Sequence, residues 1–212
     1  MLFAMLACIT TASAQFTVGG SFGFTSTTID SGGSDQSGSS FKIVPDFGYR
    51  IDDKLTVGVQ LGYSSGLAAF GSLTVTDIKS ALSTMVGAYA DISNDEMKLN
   101  SFTISPYLRY NAIQFGRAEL FLEAYIGYNS IKTDSSPEIN DEYGGDELSF
   151  NAFELGVRPG VAFHVSEKLD LLCKLGALGF MSAKEKESDI SISRFGVNAD
   201  TYNLMLGINF NF

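Results

Sequence analysis

Residues 101–129, SFTISPYLRYNAIQFGRAELFLEAYIGYN, alternate apolar and polar positions with a period of two. Phe102, Ile104, Pro106, Leu108, Tyr110 and Ala112 fall on one face, and Thr103, Ser105, Tyr107, Arg109 and Asn111 on the other. After a short turn around Gly116, Leu120, Leu122, Ala124, Ile126 and Tyr128 share a face against Glu119, Phe121, Glu123, Tyr125 and Gly127. Period two marks β-strands, and two such runs joined by a short turn predict an antiparallel hairpin. Each run lasts about ten residues, longer than the roughly 5–6 of a soluble strand and close to the roughly 9–11 that a tilted strand needs to cross a bilayer. One face is continuously apolar and ends in tyrosine; the other carries Arg109 and Glu123. With Gly116 centring the turn, these two charges are equidistant from it and face each other across the strands, where opposite charges pair.

The same plan recurs on both sides. FKIVPDFGYRI (41–51) repeats the Phe-x-Ile-x-Pro pattern of Phe102–Pro106, and LGVRPGVAF (155–163) again places a Pro fifth. LTVGVQLGY (55–63) and LDLLCKLGA (169–177) repeat LFLEAYIGY (120–128). Pro removes a ladder hydrogen bond; its recurrence at Pro45, Pro106 and Pro159 predicts tolerated bends on the lipid face. A first strand over 15–29 and a last over 201–212 complete eight strands, an even number that closes antiparallel and leaves no edge in lipid. The expected fold is therefore an all-β, up-and-down transmembrane β-barrel. Short connections at 52–54, 114–117 and 165–168 alternate with long polar ones near 30–40, 65–100, 131–150 and 181–200. That asymmetry matches periplasmic turns and extracellular loops, with both termini in the periplasm. SGGSDQSGSS (31–40) reads as a flexible loop. LTVTDI and STMVGAYADI within 65–100 read either as a structured loop or as two further strands, making ten.

Composition narrows this reading. The chain has 212 residues, one domain in size. Residues 1–14, MLFAMLACITTASA, have the apolar core and the Ala12-Ser13-Ala14 end of a signal peptide, so the mature domain is expected to span 15–212. No basic residue precedes the apolar core, and Met5-Leu6-Ala7-Cys8 resembles a lipoprotein box less well formed than the later site. Cleavage leaves Cys173 alone on an apolar face, so no disulfide framework exists. The net charge of −10 argues against a nucleic-acid partner. Trp is absent, so any aromatic belt must be built from Tyr and Phe.

The apolar leader, the period-two strands, the F-x-I-x-P-x-L-R-Y and L-x-A-Y-I-G-Y hairpin and the terminal NFNF together resemble the small outer-membrane β-barrel proteins of Gram-negative bacteria. These are often called porin family proteins, and are akin in architecture to the OmpA transmembrane domain and OmpX. The resemblance covers Gln15 to Phe212. It implies insertion in the outer membrane among lipid and lipopolysaccharide, and an aromatic last residue, here Phe212, that the barrel-assembly machinery reads. It specifies activity poorly, because this fold hosts adhesins, resistance factors, narrow pores and a few enzymes.

The inward faces collect Lys42, Arg50, Arg109, Arg158 and Lys174 against Asp46, Glu119, Glu123, Glu154 and Asp170. An eight-stranded barrel is just wide enough for side chains to fill it, and charges there are costly unless paired. They read either as a plug of paired ions or as the gate of a proton or ion path. Arg109–Glu123 is the expected pair, with Arg158, Glu154 and Lys174 nearby and Asp46 and Arg50 in the same network. His164, the single histidine, falls at the inward end of the sixth strand, where it caps or fills. The long loops contain no histidine, so a Ser-His-carboxylate site has no base there. KTDSSPEINDEYGGDELSF (132–150) is rich in acids that could bridge divalent ions to lipopolysaccharide, but its spacing does not match an EF-hand. No catalytic, cofactor or metal-ligand motif is evident. The sequence therefore predicts a non-enzymatic structural or surface-interaction barrel, a monomer that presents acidic loops to an unnamed partner. A narrow passive pore is the alternative, with an envelope-lipid enzyme behind both.

Overall fold

The computed structural model describes residues 15–30, 35–66, 98–134, 149–186, 191–198 and 203–212. Ten strands form: β1 (Gln15–Asp30), β2 (Asp35–Arg50), β3 (Leu55–Gly66), β4 (Lys98–Phe115), β5 (Ala118–Asp134), β6 (Ser149–Ser166), β7 (Leu169–Lys174), β8 (Ala177–Glu185), β9 (Ser191–Asn198) and β10 (Met205–Asn211). Eight of them, β1 to β7 and β10, pair antiparallel in one closed ring. The first and last strands make the seam, from Thr17↔Asn211 to Phe22↔Leu206, and the Phe212 amide donates to the Phe16 carbonyl at 3.0 Å. Both chain ends of the barrel therefore lie at one rim, the rim of the short turns. Closure is what lipid demands, since an unpaired backbone group in hydrocarbon costs several kcal/mol, on the order of the penalty for any buried orphan polar group.

The expectation of eight strands holds for the ring, and the two extra strands arise from interruptions rather than from new positions in it. β7 and β8 both pair with β6, and the register changes by one residue between Gly160↔Lys174 and Val157↔Leu178. Gly176 takes φ +47° in this bulge, a left-handed conformation that suits glycine. β9 then pairs with β8, from Ala177↔Asn198 to Lys184↔Ser191, in line with β10 below it. The predicted long loop at 181–200 is corrected by this strand: Ile192 and Val197 add a ladder that the polar run KEKES obscured. The predicted loop at 31–40 is also too long, because the β1–β2 ladder runs up to Asp30↔Asp35. Ser37, Gly38, Ser39 and Ser40 pair backbone to backbone, and backbone pairing asks little of the side chain. The expected leader at 1–14, the alternative strands within 67–97 and the acidic stretch 135–148 lie outside the described residues.

Side-chain direction follows the alternation. Phe102, Ile104, Leu108, Leu122, Ile126 and Tyr128 are exposed on the outer wall, while Thr103, Ser105, Tyr107, Arg109, Glu123 and Tyr125 are buried within. Pro45, Pro106 and Pro159 all point outward. The ladder skips Val44 and Pro45 between β2 and β3 and Ser105 and Pro106 between β4 and β5, while the opposite edge of each proline stays in register. Pro45 and Pro106 thus forfeit pairing on one side only, and Pro159 pairs with Leu122 while its carbonyl accepts from the Leu175 amide at 3.0 Å. The β4–β5 turn is the two residues Gly116 and Arg117, and a register shift between Asn111 and Ile113 brings Arg109 opposite Glu123. A valine at position 176 should be strained by about 1–2 kcal/mol, the usual cost of a left-handed L-residue. Urea unfolding of refolded Gly176→Val should show that loss with the denaturant slope unchanged.

Candidate functional site: a charge cluster across the lumen

Halfway up the barrel, five strands deliver ions to one point. β2 supplies Asp46, β4 Arg109, β5 Glu123, β6 Arg158 and β7 Lys174. The Arg109 guanidinium donates to Glu123 Oε2 from Nε at 3.1 Å and Nη2 at 2.8 Å, and from Nη2 to Asp46 Oδ2 at 3.2 Å. Lys174 Nζ lies 3.2 Å from Glu123 Oε2 and 3.6 Å from Asp46 Oδ2. Arg158 Nε, from β6, approaches Glu123 Oε1 at 3.6 Å. Glu123 therefore faces three cations. Gln60 donates its amide to both carboxylates, at 3.3 Å to Asp46 and 3.0 Å to Glu123, and Tyr107 donates its hydroxyl to Asp46 at 2.5 Å. Glu123, Lys174 and Gln60 are each 0 % exposed. So complete a removal from water means that the ions rely on one another, and loss of one leaves its partners uncompensated.

Aromatic rings brace the cations. Arg109 lies over Tyr107 at 5.1 Å and Phe121 at 4.9 Å, and Arg158 over Tyr125 at 4.1 Å. Each ring lies against a glycine directly across the ladder: Tyr107 opposite Gly58, Tyr125 opposite Gly156, Phe121 opposite Gly160. A Cβ at Gly58 would come within 2.6 Å of the Tyr107 ring, and one at Gly160 would overlap the Phe121 ring. The missing side chains are the slots in which the rings lie.

A second network runs along the short-turn rim. Arg50 donates to Asn211 at 3.1 Å, and Asn211 donates to Asp170 at 2.9 Å. His164 lies between two carboxylates, with Nδ1 2.7 Å from Asp170 and Nε2 3.3 Å from Glu119. Asn111 donates to Glu119 at 2.9 Å. The belt links six ring strands: β2, β10, β7, β6, β5 and β4. It roofs a cavity of about 420 Å³ at that rim, lined by Arg50, Arg117, His164, Glu167, Asp170 and Asn211. Both nitrogens of the His164 ring are committed to acids, and the Ser166 hydroxyl oxygen accepts from the Lys168 amide at 3.3 Å.

Of the residues singled out from sequence, Arg109, Glu123, Asp46, Lys174 and Arg158 converge. Arg50 belongs to the rim belt instead. Glu154 lies higher in the lumen, 3 % exposed, with Asn129, Arg158 and Lys42 as its polar neighbours. Phe212, at the seam, is 74 % exposed. Gln60, Tyr107 and Asn211 were not anticipated. Their signal was present, since each is a polar residue on an inward row, but choosing partners needs the register between strands far apart in sequence. Among the described residues no group of acids, histidines and cysteines could hold a metal ion.

The sequence model of the outer membrane protein beta-barrel domain matches residues 1–210. Among solved structures, the chain is similar to OprG of Pseudomonas aeruginosa, with 12 % identity and a TM-score of 0.52 over 94 % of this chain and 96 % of that one. It is also similar to Neisserial surface protein A, with 15 % identity and a TM-score of 0.47 over 94 % and 99 %. A third is Ail of Yersinia pestis, with 12 % identity and a TM-score of 0.41 over 94 % and 99 %. None of the curated protein sequences matches the chain. At such identities the likeness to OprG is one of fold.

Two variants probe the cluster. Glu123→Ala strands Arg109, Lys174 and Arg158 together and should cost about 3–5 kcal/mol, the range for breaking a buried ion pair. Arg109→Ala leaves Glu123 two cations and should cost less; denaturant midpoints of the refolded proteins give the order. Gly160→Val should displace Phe121 and lower the midpoint, whereas Gly196→Val, where a Cβ meets nothing within 4 Å, should leave it nearly unchanged.

Proposed function

Because the chain belongs to the outer membrane protein beta-barrel domain family, proteins of the bacterial outer membrane, we propose that it is a sealed, non-enzymatic barrel whose work is structural and at the cell surface. The observation that carries this reading is the ion cluster on Glu123, completely buried and braced by rings from both sides. A lumen crossed by such a cluster stabilises the wall and resists passage. In this reading residues 1–14 direct secretion and the short-turn rim faces the periplasm with both termini. The acidic connection around 135–148 meets the outside, and the exposed Phe212 is offered to the barrel-assembly machinery. Its partners are envelope lipid, lipopolysaccharide and an extracellular ligand of the loops.

A narrow pore for ions or small solutes is the second reading. It draws on the 420 Å³ cavity at one rim and on the buried Glu154 carboxylate above the cluster, which leave the cluster as the barrier between two polar regions. Single-channel recording on the refolded mature chain separates the two. We expect a silent wild type, with Arg109→Ala and Glu123→Ala melting earlier. Discrete openings in the wild type that widen in these variants would replace the sealed barrel with the pore.

A further inference from the structure

Among the described residues, the outer wall of the strands carries its positive charge on one side only. Along the described strands, every lysine or arginine that points outward lies on β4, β5 or β8, namely Lys98, Lys132 and Lys184, and Lys186 follows one residue past the end of β8; all four are exposed. The outward rows of β1, β2, β3, β6, β7 and β10 carry none among the described residues. The four lysines are neighbours in the sheet. Lys132 pairs with Ser149 and with Asn100. The Lys186 amide donates to the Ser149 carbonyl at 2.9 Å, so Lys132 and Lys186 flank that residue. At roughly 4.8 Å between strands, they are about 10 Å apart. Lys184 pairs with Asn151, and Lys98 lies two residues beyond Asn100 toward the same rim, opposite Asp134 in the ladder.

Beneath this ridge, each strand descends through the same chemistry. β4 reads Lys98, Asn100, Phe102; β5 reads Lys132, Ser130, Tyr128; β8 reads Lys184, Ser182, Phe180. β6, between them, reads Ser149, Asn151, Phe153. The four rings are 41–53 % exposed. Aromatic rings settle at the edge of the hydrocarbon. Four residues farther along a strand, about 13 Å before the tilt is counted, an outward lysine stands at the height of lipid headgroups. A solvated surface charge needs no such ordering. A ladder of ring, small amide or hydroxyl, and ammonium, repeated on adjacent strands, fits an amphiphile that presents acyl chain, sugar and phosphate in that order.

We propose that this ridge is a binding site for the phosphorylated glycolipid of the outer leaflet, lipopolysaccharide. Its phosphates lie among Lys98, Lys132, Lys184 and Lys186, its sugar lies against Asn100, Ser130, Asn151 and Ser182, and its acyl chains lie along the aromatic row. The proposal rests on the orientation given above, with the long-loop rim outermost. It makes the barrel directional in the plane of the membrane, with one lipid-binding flank.

The test is the thermal unfolding midpoint of the refolded full-length mature chain in neutral detergent, titrated with purified lipopolysaccharide. Dephosphorylated lipopolysaccharide and phosphatidylglycerol serve as the other two ligands. Lipopolysaccharide should raise the wild-type midpoint, and the rise should shrink with ionic strength. Both Lys98→Gln/Lys132→Gln/Lys184→Gln/Lys186→Gln and the milder Lys132→Gln/Lys186→Gln should lose the rise. Lys54→Gln/Lys168→Gln at the other rim should keep it. No rise in the wild type, an equal rise in the ridge variants, or an equal rise with either control lipid would overturn the site. Micelles have no sidedness, so a negative result counts against the ridge alone. A cysteine placed at position 140 and labelled on intact cells reports on the orientation separately.

Discussion

A backbone amide or carbonyl inside hydrocarbon has no water to turn to, and nearly every feature of this chain answers that constraint. Closure follows from it, and with closure an even number of ring strands and a seam between β1 and β10. The constraint also explains why prolines are tolerated: Pro45 and Pro106 each give up pairing on one edge and keep it on the other. The split seventh and eighth strands obey the same rule, since both halves of each remain on a ladder, β7 and β8 along β6, and β10 and β9 beside them.

Closure creates a second problem, an interior too narrow for bulk water and too polar to be left empty. The chain solves it in two layers. The central layer is ionic and dry, with Asp46 and Glu123 shared among cations that stack on Tyr107, Phe121 and Tyr125. The rim layer is a hydrogen-bonded belt in which neutral amides, Asn111 and Asn211, separate the charged members. The layers have different work: the first excludes, while the second joins strands and leaves a cavity open beneath it.

Much of this was legible in order of period, and little in order of partner. The alternation in 101–129 gave both faces correctly, because a period of two leaves each residue only one choice of side. The pairing of Arg109 with Glu123 is reached by counting from Gly116, although the turn itself is centred half a residue later and the register shift at Asn111 makes up the difference. The rest depended on residues brought together across the lumen. Nothing local in VGVQLGY says that Gln60 will bridge two carboxylates, or that Gly58 vacates room for Tyr107. Strand β9 was hidden for a different reason. SISRFGVN is short and half polar, and its pairing is decided by β8 rather than by its own composition.

The three similar hairpins look like the product of copying one hairpin, and copying is an easy way for a barrel to grow. Here the interior sets a ceiling on it. Barrel diameter rises roughly in step with strand number, while the contacts among Asp46, Arg109, Glu123 and Lys174 span only 2.8–3.6 Å. One more hairpin would draw the walls apart, leave each ion facing an empty lumen and lay the rings loose in their glycine slots. A longer descendant of this gene would have to rewrite its inward rows at the moment it gained a strand pair. The filling of the barrel, as much as its wall, keeps the number of strands at eight.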